Sequence, residues 1–341
     1  MKVLLFSGAR KLFSISGLGR AVTHQKMALE ANNIKYTENI KETDYDIVHI
    51  NTYGPVAKWL AKTARKRGKV VVYHAHSTEE DFRDSFIGSN IISPIFRKWI
   101  VSCYKLGDVI ITPTEYSKSL LESYGITQPI IPVSNGVDIP NYKAKSGDRD
   151  DFRRKYGYNE NDKVIMSVGL YFERKGITEF VNMAKDMPDY KFIWFGTTPL
   201  WTVPNKIRKA VKTKLPNLIF AGYVKPEELK KAYVGADLFL FLSKEETEGI
   251  VLLEALAAEQ NVLLRDIPVF SWLTDRKNVY KANDYEDFKK LAKDIINGTL
   301  PSLTEEGLKA VSDKSLSVTG RQLIKAYEKG IWEALKRCVR N

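Results

Sequence analysis

The chain of 341 residues is long for one globular core and ample for two. Hydrophobic residues make up 44% of it and charged residues 28%, which is ordinary for a folded globular protein and argues against long disordered stretches. The net charge of +12 favours a polyanionic partner, such as nucleic acid, anionic lipid or a phosphorylated substrate, although a solubilising surface accounts for it equally well.

The cysteines and the apolar runs indicate in which cellular compartment the protein is expected. Cys103 and Cys338 are the only cysteines, which argues against a disulfide framework or a thiolate metal site and fits a reducing environment. Val3–Phe6 is apolar, but Arg10 and Lys11 follow too early for a signal peptide, and no apolar run reaches the roughly 18 residues of a spanning helix. We expect a cytosolic protein, or one attached to a membrane without crossing it.

Short apolar runs alternate with longer helical patterns. In the first half, the runs predict strands at Val3–Phe6, Ile47–Ile50, Val70–Tyr73, Val109–Thr112 and Ile130–Pro132. After residue 150 they resume at Val164–Val168, Phe192–Phe195, Leu218–Ala221, Leu238–Leu242 and Val262–Leu264. Strands that are apolar throughout and separated by helices belong to parallel sheets covered on both faces, so the pattern predicts two doubly wound α/β domains.

The polar stretch Asn141–Asp151 lacks apolar periodicity and is predicted to link these domains. We expect a Rossmann-like domain at residues 1–145, a second one at 146–320, and a C-terminal helix at 321–341 that packs back toward the first domain. The two domains are expected to face each other across a cleft. Ligands of doubly wound sheets bind beyond the carboxyl ends of the strands, so functional residues are expected in the loops there.

Two carboxylates follow a predicted strand of the second half. Glu246 lies in the loop, and Glu254 lies about two turns away in a helix that Gly249 opens. Carboxylates accept paired hydrogen bonds from neighbouring hydroxyls, so this spacing suits a hexose and a ribose held by one element. The backbone of Glu248, Gly249 and Ile250 at the helix start suits a phosphate. A capped helix with acidic residues near its start fits the spacing equally well, although an unpaired Glu254 in an apolar helix would be costly.

The Glu-x7-Glu spacing, followed by Ala255-Leu256-Ala257, resembles the signature of the retaining GT-B glycosyltransferases of family 4. Further motifs in the same order extend the resemblance over nearly the whole chain. It implies a GT-B fold, a nucleotide-sugar donor, and no required cofactor. It also implies that Glu246 contacts the donor sugar and Glu254 the nucleotide ribose. Asn135 lies in an Asn-Gly-Val-Asp segment that the family has at the end of the first domain, and it is a candidate acceptor contact.

The segment Val168–Gly176 resembles the loop that supplies two cations to the donor diphosphate in this family. Lys175 matches the family lysine. The usual arginine after the first glycine is Leu170 here, so Arg174 is the candidate that replaces its charge. A solvated Arg-Lys pair at a helix start is the alternative, but it would place two cations at the unfavourable end of the helix dipole.

Two glycine-bearing loops extend the match. Gly17 and Gly19 follow the first strand, where the family has a loop over the phosphates and the acceptor. Taken alone, this pair is a common turn before a helix, and the dinucleotide fingerprint is incomplete. Gly222, Tyr223 and Val224 match the loop whose backbone contacts the nucleobase.

Two histidines, His74 and His76, follow a predicted strand and share a face if the strand continues. Zinc is not expected, because further ligands at a suitable spacing are missing. The family has a histidine here that contacts the donor sugar, and the register favours His76. Glu80 and Asp81 are candidates for contacts with acceptor hydroxyls, and an ordinary acidic helix start is the alternative.

Two stretches are candidates for contact with an anionic membrane. A helix predicted to begin at Ser93 and Pro94 has an apolar stripe with aromatic and basic residues: Phe96, Arg97, Lys98 and Trp99. A second stretch is strongly basic and contains Lys206, Arg208 and Lys209. Core packing also explains such a stripe, but aromatic and basic residues together favour an interfacial role in a chain of this charge.

The segments His74–Phe82 and Glu246–Ile250 also resemble the bacterial glycolipid synthases of the family. The resemblance therefore implies transfer of glucose or galactose from a UDP-sugar to a membrane glycolipid such as monoglucosyl-diacylglycerol. It also implies a cytoplasmic protein that is peripheral on the inner face of the cell membrane. The resemblance gives catalytic roles to Glu246, His76, Arg174 and Lys175. Four alternatives stay open: addition of the first sugar to diacylglycerol, a polysaccharide or teichoic-acid acceptor, nucleotide binding without catalysis, and nucleic-acid binding. The last is disfavoured because aromatic and basic residues are not interleaved as in RNA-binding proteins.

Overall fold

The computed structural model describes residues 1–8 and 17–340, so Arg10 and Lys11 lie outside the described residues. The chain folds into two compact units. Unit 1 consists of Met1–Phe82, Ile91–Val137 and the chain from Lys314 onward, and unit 2 consists of Arg83–Asn90 and Asp138–Asp313. The domain boundaries predicted near residues 145 and 320 therefore remain predictions.

The first six strands form one parallel sheet in the order β2-β1-β3-β4-β5-β6. The strands are β1 (Lys2–Phe6), β2 (Lys35–Thr37), β3 (Ile47–Ile50), β4 (Val70–His74), β5 (Val109–Thr112) and β6 (Ile130–Pro132). The helices described along this part of the chain are α1 (Gly17–Glu30), α2 (Pro55–Lys66), α3 (Glu79–Phe82), α4 (Ser89–Tyr104) and α5 (Glu115–Ser123).

The next six strands form a second parallel sheet, in the order β12-β11-β10-β7-β8-β9. They are β7 (Val164–Val168), β8 (Lys191–Phe195), β9 (Leu218–Gly222), β10 (Leu238–Phe241), β11 (Val262–Arg265) and β12 (Tyr280–Ala282). The helices are α6 (Ile139–Tyr142), α7 (Asp148–Tyr156), α8 (Ile177–Asp186), α9 (Asn205–Val211), α10 (Pro226–Gly235), α11 (Ile250–Ala257), α12 (Tyr285–Ile296) and α13 (Thr304–Val311). A final helix, α14 (Leu316–Arg340), belongs to unit 1.

Each sheet is covered on both faces, because successive side chains of a strand point to opposite faces. In unit 1, Val48 and Tyr73 pack with Leu60 of α2 and Ile100 of α4, whereas the alternate strand positions pack with α1 and α14. In unit 2, one face packs against α8 and α12. On the other face, aromatic rings of α7 and α10 contact strand rings, as Tyr233 contacts Phe239 at 5.6 Å between centroids. The two doubly wound parallel sheets confirm the predicted fold class.

The strand order creates a switch point in each sheet. In unit 2, the chain runs outward from β7 through β8 and β9, and then returns to place β10 on the other side of β7. In unit 1, β2 lies on one side of β1 and β3 on the other. Ligands of doubly wound sheets bind beyond the carboxyl ends of the strands at such a point.

The sequence located ten strands within one residue of their observed bounds and missed β2 and β12. Both missed strands are short edge strands with the sequences KYT and YKA, so they have no apolar run.

Two other predictions from the sequence are wrong. The stretch Asn141–Asp151 is not a plain linker, because Tyr142 is buried in α6 and α7 begins at Asp148. The helix expected to begin at Ser93 begins at Ser89, and Pro94 lies inside it. Ser93 is buried and donates a hydrogen bond to Glu79 (3.0 Å) instead of capping the helix.

Gly176 allows a close approach between two neighbouring strand-end loops in unit 2. Its φ is +77°, and a Cβ placed there would lie 2.8 Å from the carbonyl oxygen of Leu242, just after β10, and would overlap the Leu242 side chain. A larger residue would therefore push the loop after β7 away from the loop after β10. Gly147, before α7, also has a positive φ of +85°, but a Cβ there would meet no atom within 4 Å.

These two glycines give a matched stability test. Alanine at either position costs about 1–2 kcal/mol because its backbone is left-handed. Gly176→Ala should cost about 1–3 kcal/mol more, because its Cβ also overlaps Leu242. Thermal unfolding of the two variants measures the difference. Equal losses of stability would show that the close approach is not required.

Candidate active site

The loops after β7 and β10 meet at the switch point of the second sheet. The backbone N–H of Lys244 donates to the carbonyl of Arg174 (2.7 Å), and the Arg174 guanidinium donates to the carbonyl of Glu245 (3.2 Å). The ammonium of Lys175 forms a salt bridge with Oε1 of Glu246. Two cations from one loop therefore lie beside a carboxylate from the other.

Arg174 is buried and contacts two other segments of unit 2. Its Nε donates to Oγ of Ser85 (3.1 Å), and its backbone N–H points at the carbonyl of Asp84 (3.5 Å). Both partners belong to Arg83–Asn90, which lies between α3 and α4 in the sequence but within unit 2 in space. Arg174 thus orders the loop as well as contributing charge.

The charge state of Glu246 follows from its neighbours. Burial alone raises the pKa of this carboxyl, but the charges of Lys175 and Arg174 and a hydrogen bond from Lys175 outweigh burial. The pKa of Glu246 therefore lies below its ordinary value, and the group is an anion at neutral pH. It can accept hydrogen bonds from hydroxyl groups in that state.

Glu254 and Glu248 are also buried, at 0% and 1% exposure. Oε2 of Glu254 accepts a hydrogen bond from the Tyr233 hydroxyl (3.1 Å), which also contacts the carbonyl of Val251 at 3.1 Å. Gly249 caps α11 with a φ of +81°, and Ile250 is the first helical residue, as predicted. The helix therefore begins four residues after Glu246, the carboxylate that pairs with Lys175.

Gly222, Tyr223 and Val224 lie farther along the same edge. Gly222 ends β9 with a φ of +70°, and Tyr223 after it is 48% exposed. Two strands, β7 and β8, separate β9 from β10 in the sheet. These residues therefore share an edge with Glu246 without adjoining it.

In unit 1, His74 ends β4 and His76 follows it. Their rings stack at 3.8 Å between centroids, so both face the same way although the strand has ended. His76 is partly exposed, and its Nε2 lies 2.9 Å from Oδ1 of Asn51, which follows β3. Among the residues that the structure describes, no group of three or more His, Cys, Asp or Glu side chains is arranged to hold a metal ion.

The other sites proposed for unit 1 are more scattered. Gly17 and Gly19 form the first turn of α1. Glu80 accepts a hydrogen bond from the Tyr124 hydroxyl, and the backbone N–H of Asp81 donates to Oγ1 of Thr78 (3.1 Å). Asn135 is buried near the end of β6. No hydrogen bond described for these residues joins them to His76.

The four candidate membrane residues of α4 include two that contact other side chains of unit 1 and two that are exposed. Phe96 stacks on the ring of Phe82 at 4.0 Å, and Arg97 pairs with Glu79 at 3.0 Å. Lys98 and Trp99 are exposed. In unit 2, Lys206 and Lys209 are exposed on α9 and Arg208 is half-buried.

Two family profiles match the chain. The profile for glycosyl transferases group 1 matches residues 148–306, and the profile for Glycosyltransferase Family 4 matches residues 26–140. A processive diacylglycerol alpha-glucosyltransferase of Acholeplasma laidlawii is 43% identical over 97% of this chain and 99% of its own length. The chain belongs to the family 4 glycosyltransferases. It is a hexosyltransferase.

More distant proteins agree with this assignment. An alpha-galactosylglucosyldiacylglycerol synthase of Streptococcus pneumoniae is 23% identical to the glycosyltransferase over 79% of this chain and 74% of its own. Among solved structures, sucrose-phosphate synthase of Thermosynechococcus elongatus superposes with a TM-score of 0.78 at 13% identity, covering 96% of this chain and 99% of that one. HepE of Anabaena in complex with UDP superposes with a TM-score of 0.75 at 15% identity, covering 96% of this chain and 100% of that one. These structures share the two-sheet fold.

Several residues that contact the candidate site residues were not predicted from the sequence. Ser85 and Asp84 reach Arg174 from a segment that precedes it by about 90 residues. Tyr233 lies in none of the sequence motifs, yet its hydroxyl contacts Glu254. Asn51 directly follows a buried strand at the switch point of the first sheet, and that position is the one signal that could have identified it.

The Lys175–Glu246 pair predicts a change in the pH dependence of stability. A carboxyl whose pKa is lower in the folded protein than in the unfolded one stabilises the fold at pH values above its unfolded pKa. That contribution is lost as the pH falls through the folded pKa. In Lys175→Met, burial raises the pKa of Glu246 again. The variant should lose about 3–5 kcal/mol at neutral pH and less near pH 5, where the buried carboxyl takes up a proton.

Thermal unfolding between pH 5 and pH 8 measures this effect. Lys293→Met, which removes an exposed lysine from α12 of the same unit, is the control and should follow the unsubstituted glycosyltransferase. A loss in Lys175→Met that is constant across this range would contradict the claim that Lys175 keeps Glu246 ionised.

Proposed function

We propose that this glycosyltransferase moves a hexose, glucose before galactose, from a UDP-sugar to a glycosylated diacylglycerol with retention of the anomeric configuration. The observation that carries the proposal is the cluster of Arg174, Lys175 and Glu246 at the switch point of the second sheet. A nucleotide sugar offers the groups that such a cluster binds, namely a diphosphate for the cations and sugar hydroxyls for the carboxylate.

The leaving group determines which interactions matter. As the bond between the anomeric carbon and the phosphate oxygen breaks, negative charge grows on the diphosphate, and fixed cations stabilise that charge. Lys175 and Arg174 are held in place by Glu246, Ser85 and the carbonyl of Glu245 before any donor binds. Preorganisation of this kind avoids the cost of reorienting charges during the reaction.

The proposed step forms one bond, breaks one bond and moves one proton, and it requires no added cofactor. The acceptor hydroxyl oxygen bonds to the anomeric carbon on the face that the diphosphate leaves, and a diphosphate oxygen takes the hydroxyl proton. The products are UDP and a glycolipid with one more sugar. In this scheme Glu246 and His76 position the hexose, Glu254 binds the ribose, and the loop at Gly222–Val224 lies near the base.

The acceptor is proposed from the relatives. The protein that is 43% identical over nearly the full length is named a processive diacylglycerol alpha-glucosyltransferase. Two more relatives are named as synthases of glycosyl-diacylglycerols, at 23% and 25% identity. Their names support a lipid acceptor here, and the first favours glucose over galactose as the transferred sugar.

A product assay tests the reaction. The purified protein is incubated with UDP-glucose or UDP-galactose and with diacylglycerol or monoglucosyl-diacylglycerol, and the lipids are analysed by mass. We expect a hexose to be added from UDP-glucose to monoglucosyl-diacylglycerol. Glu246→Ala should reduce turnover by about a hundredfold or more, as loss of a transition-state contact does.

Glu259→Ala is the matched control, because Glu259 is an exposed carboxylate just after α11. It should leave turnover unchanged. UDP-sugar consumption that is equally fast in Glu246→Ala would contradict the role of Glu246. Donor binding without any transfer or hydrolysis would favour a nucleotide-binding protein, and transfer to soluble glycans alone would exclude the lipid acceptor.

An apolar surface on α4 supports contact with a membrane. No helix in the described part of the chain is long and apolar enough to cross a bilayer. Ile91 and Ile95 are one turn apart on the outer side of α4 and are 82% and 70% exposed. Lys98 and Trp99 follow on the next turn and are also exposed. Exposed aliphatic, aromatic and basic residues on one helix are typical of an interfacial helix.

Unit 2 has a second surface of the same kind. Trp201 is 79% exposed, and the backbone N–H of Ile87, also exposed, donates to the carbonyl of its neighbour Thr202 (2.9 Å). The basic helix α9 follows four residues later with Lys206 and Lys209 exposed. Ile207 faces inward and is buried, whereas Lys206 and Lys209 are exposed, and Lys206 also pairs with Glu173 (2.9 Å). Each cation near an anionic surface contributes on the order of 1 kcal/mol.

Vesicle flotation tests the membrane contact. We expect the protein to float with phosphatidylglycerol-containing vesicles and to float less with neutral ones. Ile91→Ser combined with Ile95→Ser should weaken binding about tenfold to a hundredfold, because two exposed apolar side chains are no longer available for burial.

Ile40→Ser, at an exposed isoleucine elsewhere in unit 1, is the control for these substitutions. It should bind vesicles like the unsubstituted protein. If the unsubstituted protein bound neither type of vesicle, the proposed membrane contact would be wrong even if the transfer reaction occurred.

A further inference from the structure

All four histidines of the chain lie in unit 1, and three of them are in direct contact. His49 lies in β3 and His74 ends β4, and both occupy the alternate positions that face α1 and α14. Nε2 of His49 lies 3.1 Å from Nδ1 of His74, and the rings of His74 and His76 stack. The fourth, His24 on α1, contacts the carbonyl of Gly136 at 2.7 Å.

A chain of hydrogen bonds runs from His76 into the core. Nε2 of His76 contacts Oδ1 of Asn51 (2.9 Å), and Nδ2 of Asn51 donates to Oε1 of Gln25 (2.8 Å). Nε2 of Gln25 contacts the ring of His49 at 2.9 Å, and Nδ1 of His49 contacts the Tyr327 hydroxyl at 2.8 Å. The chain thus joins α1, two strand ends and α14.

The direction of these bonds determines where the proton of His76 lies. An amide oxygen only accepts hydrogen bonds, so Nε2 of His76 is the protonated nitrogen. In a neutral ring, Nδ1 then keeps its lone pair. Such a nitrogen can accept a hydrogen bond from a hydroxyl group, and the stacked ring of His74 limits the orientations that His76 can take.

The surroundings keep the rings neutral. His76 is partly exposed, but loss of solvent around its imidazole lowers its pKa to about 3, and burial together with the neighbouring His76 lowers that of His49 to about 3. The pKa of His74 is also lowered, by burial and by the other two histidines. The groups described as facing these rings are Gln25, Asn51 and Tyr327, and none of them is charged at neutral pH.

We propose that Asn51, Gln25 and Tyr327 are positioning residues that fix the orientation of His76 and hold its proton on Nε2, so that Nδ1 accepts a hydrogen bond from a hydroxyl of the transferred hexose. The inference rests on the proposed function for the contact between His76 and the hexose. The tautomer itself is a property of the protein alone.

Nuclear magnetic resonance of protein labelled with 15N-histidine tests the tautomer without any substrate. A protein without a histidine tag has four imidazole rings, and substitution of each histidine assigns its signals. We expect His76 to be protonated at Nε2 only, with shifts that do not change between pH 8 and pH 5.5. A proton on Nδ1 of His76, or a titration in this range, would overturn the proposal.

Variants of Asn51 and Tyr327 test the positioning. Asn51→Leu removes the acceptor, so both tautomers of His76 should be populated. Asn51→Asp retains an acceptor and adds a charge, so His76 should keep its proton on Nε2 and begin to titrate near neutral pH. Tyr327→Phe should shift the signals of His49. Tyr45→Phe, at a buried tyrosine in the cluster on the opposite face of the sheet, should leave all four rings unchanged.

Activity separates this inference from the proposed function. Asn51→Leu should lower kcat/KM for the UDP-sugar by up to about a hundredfold, and Asn51→Asp should give activity that depends on pH near neutrality. A single Nε2 tautomer that persists in Asn51→Leu would overturn the positioning role. The expected tautomers with unchanged turnover would instead contradict the contact between His76 and the donor.

Discussion

The salt bridge between Lys175 and Glu246 is the interaction on which the proposed donor site depends. It places a cation and an anion within a mostly buried cluster, where a lone charge would be costly. The pair is possible because Gly176 lets the loop after β7 approach the end of β10 closely. The strand order brings these two loops to the switch point, so the same sheet topology that defines the fold also places the two charges side by side.

The two units have different chemistry at the carboxyl ends of their strands. Unit 2 has paired charges, and Arg174 adds hydrogen bonds to Ser85 and to the carbonyl of Glu245. Unit 1 has neutral imidazoles joined by amides and a tyrosine hydroxyl. Under the proposed function, the cations of unit 2 suit a diphosphate, whereas the carboxylate of Glu246 and the imidazole of His76 suit sugar hydroxyls.

The strands of both sheets could be predicted because buried parallel strands are continuous apolar runs, as in Val164–Val168. The short edge strands β2 and β12 have no such run and were missed. The loop carrying Lys175 and the Glu246–Glu254 spacing were visible as local motifs. The contact between His49 and Tyr327 joins residues 278 positions apart, so only the packing of α14 on the sheet reveals it.

The helix starting near Ser93 shows why local rules fail when tertiary contacts compete with them. Serine followed by proline is typical of a helix start, but Ser93 bonds to Glu79 and the helix begins a turn earlier. The apolar residues of this helix also differ in their burial. Ile100 and Cys103 are buried in the core, whereas Ile91 and Ile95 are exposed. Periodicity identified the apolar residues without showing which of them the core would cover.

Calorimetric titration with UDP and with uridine tests the central claim most directly, because the two ligands differ only in the diphosphate. The account predicts that the unsubstituted protein binds UDP much more tightly than uridine. In Lys175→Met, the affinity for UDP should fall by about tenfold or more while the affinity for uridine changes little. Equal losses for both ligands, or no loss for UDP, would contradict the assignment of Lys175 to the diphosphate.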